Sequence, residues 1–98
     1  MNWKKLTIII PALNEAGNIG RLLNRLNFLY PGVKVIVSDD GSKDNTQKIV
    51  RKFDCAYLLD RNKKRLKGLT ASVIDAVNIV KTPYIVVMDA DLQHPPEK

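Results

Sequence analysis

Five of the ten acidic residues stand where an apolar run of the sequence ends, and their carboxylates are the groups best suited to chemistry. They are Glu15, Asp39, Asp40, Asp89 and Asp91. Crowded carboxylates repel one another, so such a cluster favours a divalent cation, a bound cationic group or raised pKa values. The segment 89–91 separates two carboxylates by a single residue, so both can reach one hard cation. Such a DxD pattern is also typical of a helix cap followed by a turn.

The segment Asp39-Asp40-Gly41-Ser42 allows two interpretations. Aspartate favours local hydrogen bonds to the backbone and glycine adopts positive φ, so the four residues can form a plain turn. A turn needs only one aspartate, and the second carboxylate could accept hydrogen bonds from a ribose or a base. Asp39 and Asp40 are therefore candidate nucleoside-binding residues.

A short basic segment holds much of the positive charge of the chain, whose net charge is +6. Its cationic residues are Arg61, Lys63, Lys64, Arg65 and Lys67. Such a run is most often a solvated loop, and the alternative is a surface that binds a polyanion. No aromatic residue is interleaved for base stacking, which makes nucleic acid the less favoured partner. An anionic membrane surface or a substrate phosphate fits at least as well.

Several other chemistries are excluded by the residues that the sequence lacks. His94 is the single histidine, which argues against a serine or cysteine triad and rules out an HExxH zinc helix. The five glycines form neither the dinucleotide-binding pattern GxGxxG nor a P-loop. No apolar run is long enough to cross a membrane. Cys55, the single cysteine, fits a packing residue in a reducing cytoplasm.

Apolar residues alternate along the chain between strand-like runs and helical stripes. The strand-like runs are 6–11, 33–38, 55–59 and 84–88. The helical stripes are Ile19, Leu22, Leu23, Leu26 and Leu29; Thr46, Ile49, Val50 and Phe53; and Leu69, Val73, Ala76, Val77 and Val80. Pro11 is the predicted end of the first strand, and Asn14 the predicted N-cap of the first helix. The pattern predicts an α/β fold of three layers, a mainly parallel sheet of about four strands with helices on both faces.

A parallel sheet gathers the carboxyl ends of its strands at one edge, and ligands bind there near the point where the strand order reverses. Because all five acidic residues follow predicted strands, we expect them to meet at this edge. That position makes the weak DxD pattern a candidate metal site and Asp39-Asp40 a candidate nucleoside site.

Three segments that follow predicted strands carry a family resemblance. They are Pro11-Ala12-Leu13-Asn14-Glu15, Ser38-Asp39-Asp40-Gly41-Ser42, and Met88 to Glu97 (MDADLQHPPE). In this order they resemble the family 2 glycosyltransferases of the GT-A fold. The last segment, together with Lys67-Gly68-Leu69-Thr70-Ala71, is most similar to the dolichol-phosphate mannose synthase branch. The resemblance spans nearly the whole chain and implies a Rossmann-like N-terminal half of that fold.

The resemblance also implies where the substrates bind. The residues that it implies border the nucleotide are Pro11, Leu13, Glu15, Val37 and Asp39. Those implied to lie at the metal and diphosphate are Asp89, Ala90, Asp91 and Gln93. Of these, the resemblance implies that Asp89, Asp91 and Gln93 hold Mg²⁺ or Mn²⁺. Asp91 would be the catalytic residue, and Asp40 joins the nucleotide-binding set through its position at the sheet edge. Leu13 departs from the family, because many relatives carry an aromatic residue there.

The reaction that the resemblance implies is inverting, metal-dependent transfer of a hexose from a nucleotide sugar to a polyprenyl (dolichyl) phosphate. The donor would be GDP-mannose or UDP-glucose. A polyprenyl phosphate oxygen is already anionic, so the acceptor needs no strong general base. Two alternatives stay open: a non-catalytic module that binds nucleotide sugars, and, less favoured, a basic protein that binds nucleic acid or a membrane surface through residues 61–67.

The chain stops at Lys98, shortly after the DxD segment, whereas members of the family continue through an acceptor half. We therefore expect residues 1–98 to be the N-terminal nucleotide-sugar-binding part of a GT-A domain, incomplete for turnover by itself. The exposed apolar surface left by such a cut predicts self-association or association with a missing C-terminal half. The expected location is the cytoplasm, with peripheral contact at the cytoplasmic face of a membrane and no nucleic-acid partner.

Overall fold

The computed structural model describes residues 2–90, in which four strands alternate with three α-helices after a short 3-10 helix at Trp3–Lys5. The strands are β1 (Leu6–Ala12), β2 (Lys34–Asp39), β3 (Ala56–Asp60) and β4 (Tyr84–Val87). The helices are α1 (Ile19–Leu29), α2 (Thr46–Val50) and α3 (Leu69–Val77). The alternation that the apolar periodicity predicts is therefore confirmed.

All four strands pair in parallel, in the order β3-β2-β1-β4. Ile9 in β1 pairs with Ile36 in β2 on one side and with Val87 in β4 on the other. The chain adds β2 and β3 on one side of β1 and then crosses to place β4 on the opposite side. The strand order thus reverses between β1 and β4.

Helices cover both faces of the sheet, as the sequence predicts. On one face, α1 and α2 bury their apolar stripes against β1 and β2, in a core that contains Ile8, Ile10, Ile19, Leu22, Leu26, Val35, Val37 and Val50. On the other face, α3 packs through Ala76 against Ile9 and Ile36. The period of two along each strand explains this division, since successive side chains point to opposite faces.

Pro11 does not end β1, contrary to the prediction, because the strand continues to Ala12. Met88 N donates to Ile9 O, whereas Ala12 O accepts from Asp40 N, so the main-chain groups of odd-numbered residues in β1 point toward β4. The pairing of β4 stops at Val87, opposite Ile9. Pro11 therefore lacks its N–H at a position where the described sheet needs no donor.

The helices differ from the predicted stripes mainly at their ends. Asn14 is not the N-cap of α1, because the helix begins only at Ile19 and its N-cap is Asn18. α2 ends at Val50 and α3 at Val77, before the last apolar residues of their stripes. Phe53 and Val80 nevertheless pack against the core from the turns that follow these helices.

The edge strand β4 is exposed on both faces. Exposure is 57% for Tyr84, 41% for Ile85, 43% for Val86 and 49% for Val87. Helices α1 and α2 pack over β1, β2 and β3, whereas within residues 2–90 the side chains of β4 stay exposed on both faces. No described helix has the length and apolar character to cross a membrane.

Candidate functional site

The carboxyl ends of all four strands lie at one edge of the sheet. Asp40 N donates to Ala12 O at 3.0 Å, which joins the ends of β2 and β1, and Arg61 N donates to Asp39 O at 2.8 Å, which joins the ends of β3 and β2. Because the strand order reverses between β1 and β4, the loop after β1 and residues 88–90 lie beside the position at which α/β sheets bind ligands.

The loop after β1 is tied to the loop after β2 by four hydrogen bonds between side chains and backbone. Ser42 Oγ accepts from Asn14 N at 2.8 Å, and Asn14 Oδ1 accepts from Lys43 N at 2.8 Å. Thr46 Oγ1 accepts from Glu15 N at 2.8 Å, and Asp44 Oδ2 accepts from Ala16 N at 3.1 Å. The two loops therefore form one unit that frames the edge.

Asn14 connects these loops in a left-handed backbone conformation, with φ of 55°. Asparagine tolerates this region better than most residues because its short amide side chain bonds locally. Here the amide accepts from the neighbouring loop instead of capping a helix. The structure thus gives Asn14 a role in shaping the site entrance in place of the predicted N-cap.

The carboxylate of Asp39 is fully buried and organises its own loop. Its Oδ2 accepts from Ser42 N at 2.9 Å, from Gly41 N at 3.3 Å and from Gln47 Nε2 at 2.6 Å, while Oδ1 accepts from the Ser42 hydroxyl. The turn interpretation of this segment is therefore confirmed for Asp39. A contact between Asp39 and a nucleoside stays a prediction and requires one of these internal donors to move.

Asp40 is part of a buried ion pair. Its Oδ1 accepts from Arg61 Nη1 and its Oδ2 accepts from Gly68 N at 2.8 Å. The side chains of Arg61 and Asp40 are only 2% and 12% exposed. Asp40 thus fastens the end of β2 to the loop before α3, and a nucleoside contact for it also stays a prediction.

Arg61 uses its whole guanidinium in this network. Besides Asp40, Nη1 contacts Ser72 Oγ at 3.0 Å, Nε contacts Asp75 Oδ2 at 2.9 Å, and Nη2 contacts Leu66 O at 2.5 Å. The planar fork of arginine suits such multiple contacts, which a lysine could not reproduce. Arg61 is therefore a structural residue, whereas the sequence indicated a solvated basic run.

Gly41 lies where the loop after β2 meets the loop after β3. Its φ is 108°, and a Cβ at this position would lie 3.2 Å from Asn62 Oδ1 and 3.5 Å from Lys67 Nζ. A side chain there would be strained by the backbone conformation and would press on both neighbours. Glycine is thus required for this close approach of the two loops.

Two carboxyl groups near the edge titrate below their usual range. The Thr46 hydroxyl, aided by backbone N–H donors, lowers the pKa of Asp44 from its ordinary value of 3.8. The hydrogen bond from Arg61 lowers the pKa of Asp75 from the same value, with a further contribution from Lys64. In both groups the stabilised form is the charged one, which keeps these links intact at neutral pH.

The nucleotide-binding residues expected after β1 are placed at the edge with different exposure. Leu13 follows the strand directly and is 51% exposed, whereas Pro11 and Glu15 are half-buried. Val37 is fully buried in the core beneath the edge. Leu13 and Glu15 are therefore accessible at the edge, while Val37 supports the strand on which Asp39 stands.

The residues after β4 supply the metal candidates. Asp89 is exposed at the end of the strand, and Ala90 is buried against the core. Asp91 and Gln93, the other predicted ligands, lie outside the described residues. Within residues 2–90 no three acidic, histidine or cysteine side chains are grouped to hold a metal ion. The donors assigned to this site are all oxygens, which is the set that Mg²⁺ and Mn²⁺ prefer.

A groove of about 1110 Å³ lies at the opposite edge of the sheet. It is lined by residues at the starts of β1, β2 and β3, among them Thr7 and Lys34, and by the chain that follows α3. Cys55 also lines it, and burial raises the pKa of this thiol. The groove lies at the amino ends of the strands, where α/β sheets do not place their ligands.

Sequence reasoning missed the residues that hold the loops together. The sequence indicated other roles for Asn14, Ser42 and Thr46, namely an N-cap, a turn and a helical stripe, and it did not single out Asp44 or Asp75. A signal for some of them exists, since Ser, Thr, Asn and Asp concentrate between the end of β2 and the start of α2, as expected for side chains that bond to loop backbone. Asp75 also stands out as the one charged residue among the apolar positions of α3.

The sequence profile of glycosyl transferase family 2 matches residues 7–98. A dolichol-phosphate mannosyltransferase of Pyrococcus furiosus is 37% identical over 98 residues, which cover 95% of this chain and 27% of the relative. An undecaprenyl-phosphate 4-deoxy-4-formamido-L-arabinose transferase of Yersinia pestis is 32% identical over 106 residues, which cover 97% of this chain and 31% of the relative. The chain thus spans less than a third of the length of either protein.

A solved structure shares the fold. The mannosyltransferase of Pyrobaculum calidifontis, determined in complex with GDP-Man and Mn²⁺, superimposes with a TM-score of 0.74 at 28% identity, covering 89% of this chain and 27% of that protein. The parallel order of the sheet and its helices on both faces match the GT-A fold that the resemblance implied. The chain belongs to glycosyl transferase family 2.

Proposed function

We propose that the chain is the donor-binding part of a metal-dependent, inverting glycosyltransferase that transfers mannose or glucose from GDP-mannose or UDP-glucose to a polyprenyl phosphate. The observation that carries the proposal is the reversal of strand order between β1 and β4, which sets Asp89 and the loop of Leu13 and Glu15 on the two sides of one crevice. Membership of the family and the GDP-Man and Mn²⁺ bound to the Pyrobaculum mannosyltransferase support it.

The nucleoside would lie against the loop after β1 and the end of β2. The four hydrogen bonds between these loops fix the wall of the crevice before a ligand arrives, which lowers the ordering cost of binding. Leu13 offers an exposed apolar side chain to the base, and Glu15 a carboxylate to a ribose hydroxyl. Because position 13 carries no aromatic ring, the base is held by van der Waals contact and hydrogen bonds, and stacking contributes little.

Asp89, Asp91 and Gln93 would hold the Mg²⁺ or Mn²⁺, with Asp91 as the catalytic residue. When bound, such a cation supplies neutralisation of the charge that grows on the departing nucleoside diphosphate. Asp89 follows β4 and is exposed, which supports its assignment to the diphosphate end of the donor. The chain's own contribution is to orient that end toward the acceptor.

The acceptor class rests on the relatives. The Pyrococcus and Yersinia proteins are named for dolichol phosphate and undecaprenyl phosphate, two polyprenyl phosphates. Since a phosphate oxygen is anionic at neutral pH, it can attack the sugar without a strong base. The second candidate function is a module that binds a nucleotide sugar without turnover.

Titration calorimetry of the whole chain with GDP-mannose and with UDP-glucose, each with and without Mn²⁺, tests the proposal. We expect binding that requires Mn²⁺ and is weakened about tenfold or more in Asp89→Asn, equivalent to about 1.4 kcal/mol. Asp54→Asn is the matched control, because Asp54 is an exposed aspartate at the opposite edge of the sheet. Absence of binding with either donor, or equal weakening in Asp54→Asn, would contradict the proposal.

A transfer assay separates the two candidate functions. The chain is incubated with the donor that it binds, Mn²⁺ and dolichyl phosphate, and the glycolipid product is measured. Product formation above a protein-free control supports the transferase, whereas binding without product supports the donor-binding module.

A further inference from the structure

The loop between β3 and α3 combines exposed cations with exposed leucines. We call this loop, together with Leu69 at the first position of α3, the basic loop (residues 61–69). Lys63, Lys64 and Arg65 are exposed, and Lys64 lies only at the limit of an ion pair, 4.0 Å from Asp75, with 59% of its side chain exposed. Leu66 is 75% exposed and Leu69 65%. Exposed leucines beside exposed cations match a partner that is both anionic and apolar.

Internal bonds hold the main chain of the basic loop. Leu66 O accepts from the buried guanidinium of Arg61 at 2.5 Å, and Lys67 Nζ donates to Asn62 O at 3.0 Å. Gly68 N donates to Asp40 Oδ2 at 2.8 Å. Arg61 and Lys67 thus serve the loop itself, and the cations presented outward are Lys63, Lys64 and Arg65. The loop is therefore organised before any partner binds.

We propose that the basic loop docks the protein on the surface of an anionic lipid bilayer. Lys63, Lys64 and Arg65 would lie among the lipid headgroups, and Leu66 and Leu69 would enter the boundary with the acyl chains. Basic residues interleaved with leucines are the combination that binds membrane interfaces. Nucleic acid is disfavoured, because single strands are bound through aromatic stacking and residues 61–69 contain no aromatic side chain.

The position of the basic loop gives this docking a consequence. The loop starts at the carboxyl end of β3, so it lies on the same edge of the sheet as the candidate donor site. Docking would bring that edge to the surface where a polyprenyl phosphate presents its head. Only this consequence rests on the proposed function, since docking itself needs no nucleotide sugar.

Co-sedimentation of the whole chain with vesicles tests the docking. We expect binding to vesicles of phosphatidylcholine mixed with phosphatidylglycerol, and little binding to phosphatidylcholine alone. Replacing Lys63, Lys64 and Arg65 by glutamine should lower the partition coefficient about a hundredfold, at roughly fivefold for each cation. The matched control replaces Lys48, Arg51 and Lys52 by glutamine, which removes the same charge from exposed positions in and after α2 and should change binding less than about threefold.

A second pair of variants tests the leucines. Leu66→Ser with Leu69→Ser should lower the partition coefficient about tenfold. The control Phe28→Ser, at a side chain that is 79% exposed on α1, should leave it unchanged. Circular dichroism of each variant checks that the fold is retained.

Three results would overturn the docking. The first is no binding to anionic vesicles by the wild-type chain. The second is equal loss of binding in the two glutamine triple variants, which would indicate a response to net charge alone. The third is tight binding to single-stranded RNA that depends on Lys63, Lys64 and Arg65 and ignores the leucine variants, which would assign the basic loop to nucleic acid. None of these assays includes a nucleotide sugar, so their failure leaves the proposed function standing.

Discussion

The guanidinium of Arg61 and the carboxylate of Asp40 form an ion pair inside the protein, with 2% and 12% of their side chains exposed. Asp40 begins the loop after β2, and Arg61 begins the basic loop after β3. The pair therefore links the two loops that border the carboxyl edge on that side of the sheet. Through Asp75 it also fixes α3, so three neighbouring segments depend on one arginine.

Replacing Arg61 should destabilise the protein strongly. Arg61→Met keeps most of the side-chain volume but leaves Asp40 as a buried carboxylate without its cation, which costs about 3–5 kcal/mol of unfolding free energy. Arg65→Met, in the same loop but exposed, should stay within about 0.5 kcal/mol of wild type. Urea unfolding followed by circular dichroism measures both. Equal stability of the two variants would refute the structural role of Arg61.

The Thr46 hydroxyl should support both the fold and the donor site. Thr46 is fully buried, accepts from Glu15 N at 2.8 Å and donates to Asp44 Oδ1 at 2.5 Å. Thr46→Val keeps the shape but leaves Glu15 N without its acceptor, while Asp44 Oδ1 keeps only the N–H of residue 46 at 2.9 Å; the cost is about 1–3 kcal/mol. It should also weaken donor binding severalfold, because the loop after β1 loses its anchor. Thr70→Val, at an exposed position of α3, is the matched control and should change neither property.

Stability should fall in acid through Asp44 and Asp75. Both pKa values are lowered in the folded protein from 3.8, so the unfolded chain binds more protons than the folded one at low pH. The stabilisation that these two carboxylates contribute is fully present at pH values above their ordinary pKa. It is lost as the pH falls through their pKa values in the folded protein. Thermal melting between neutral pH and about pH 3 measures this loss. Asp75→Asn should reduce the acid dependence, and Asp44→Asn should reduce it less in a Thr46→Val background than in wild type, because only the backbone donors to Asp44 remain there.

The exposed strand β4 should mediate self-association. Its apolar side chains face solvent on both sides, and β1 is its single partner in the described sheet. We expect the sedimentation coefficient to rise with protein concentration, and Val86→Lys to suppress the rise, because a charge on an edge strand opposes further pairing. Tyr57→Lys, on the other edge strand β3, is the control. A monomer at every concentration would contradict this expectation.

The arrangement of strands and helices could be predicted from the sequence because burial leaves a periodic trace. The runs around Ile9, Val35 and Val86 are β-branched, and the stripe of Leu22, Leu23 and Leu26 repeats at helical spacing. Each strand or helix can therefore be recognised from its own stretch of sequence. The parallel order followed from the alternation of the elements. Pro11 was wrongly predicted to end β1. Its missing N–H lies on the side of β4, and the sequence does not show that β4 stops pairing before it reaches Pro11.

The contacts of the site could be predicted less well, because they join residues far apart in the sequence. Ser42 meets Asn14 across 28 residues, and Arg61 meets Asp40 across 21. Such hydrogen bonds leave no periodic pattern, and a cation in a basic run has the same sequence signature whether it is solvated or buried. The sequence therefore located the edge of the site through its acidic residues but did not reveal which side chains hold that edge together.

The central claim, that a donor and its cation bind at the crevice between β1 and β4, is tested most directly by paramagnetic broadening. Amide spectra of the labelled chain are recorded with GDP and either Mg²⁺ or Mn²⁺, in wild type and in Asp89→Asn. We predict that Mn²⁺ broadens the signals of residues 12–15, 40–42 and 88–90 in wild type alone. Broadening confined to residues 33–35, 55–57 and 78–81, around the opposite groove, would contradict the account.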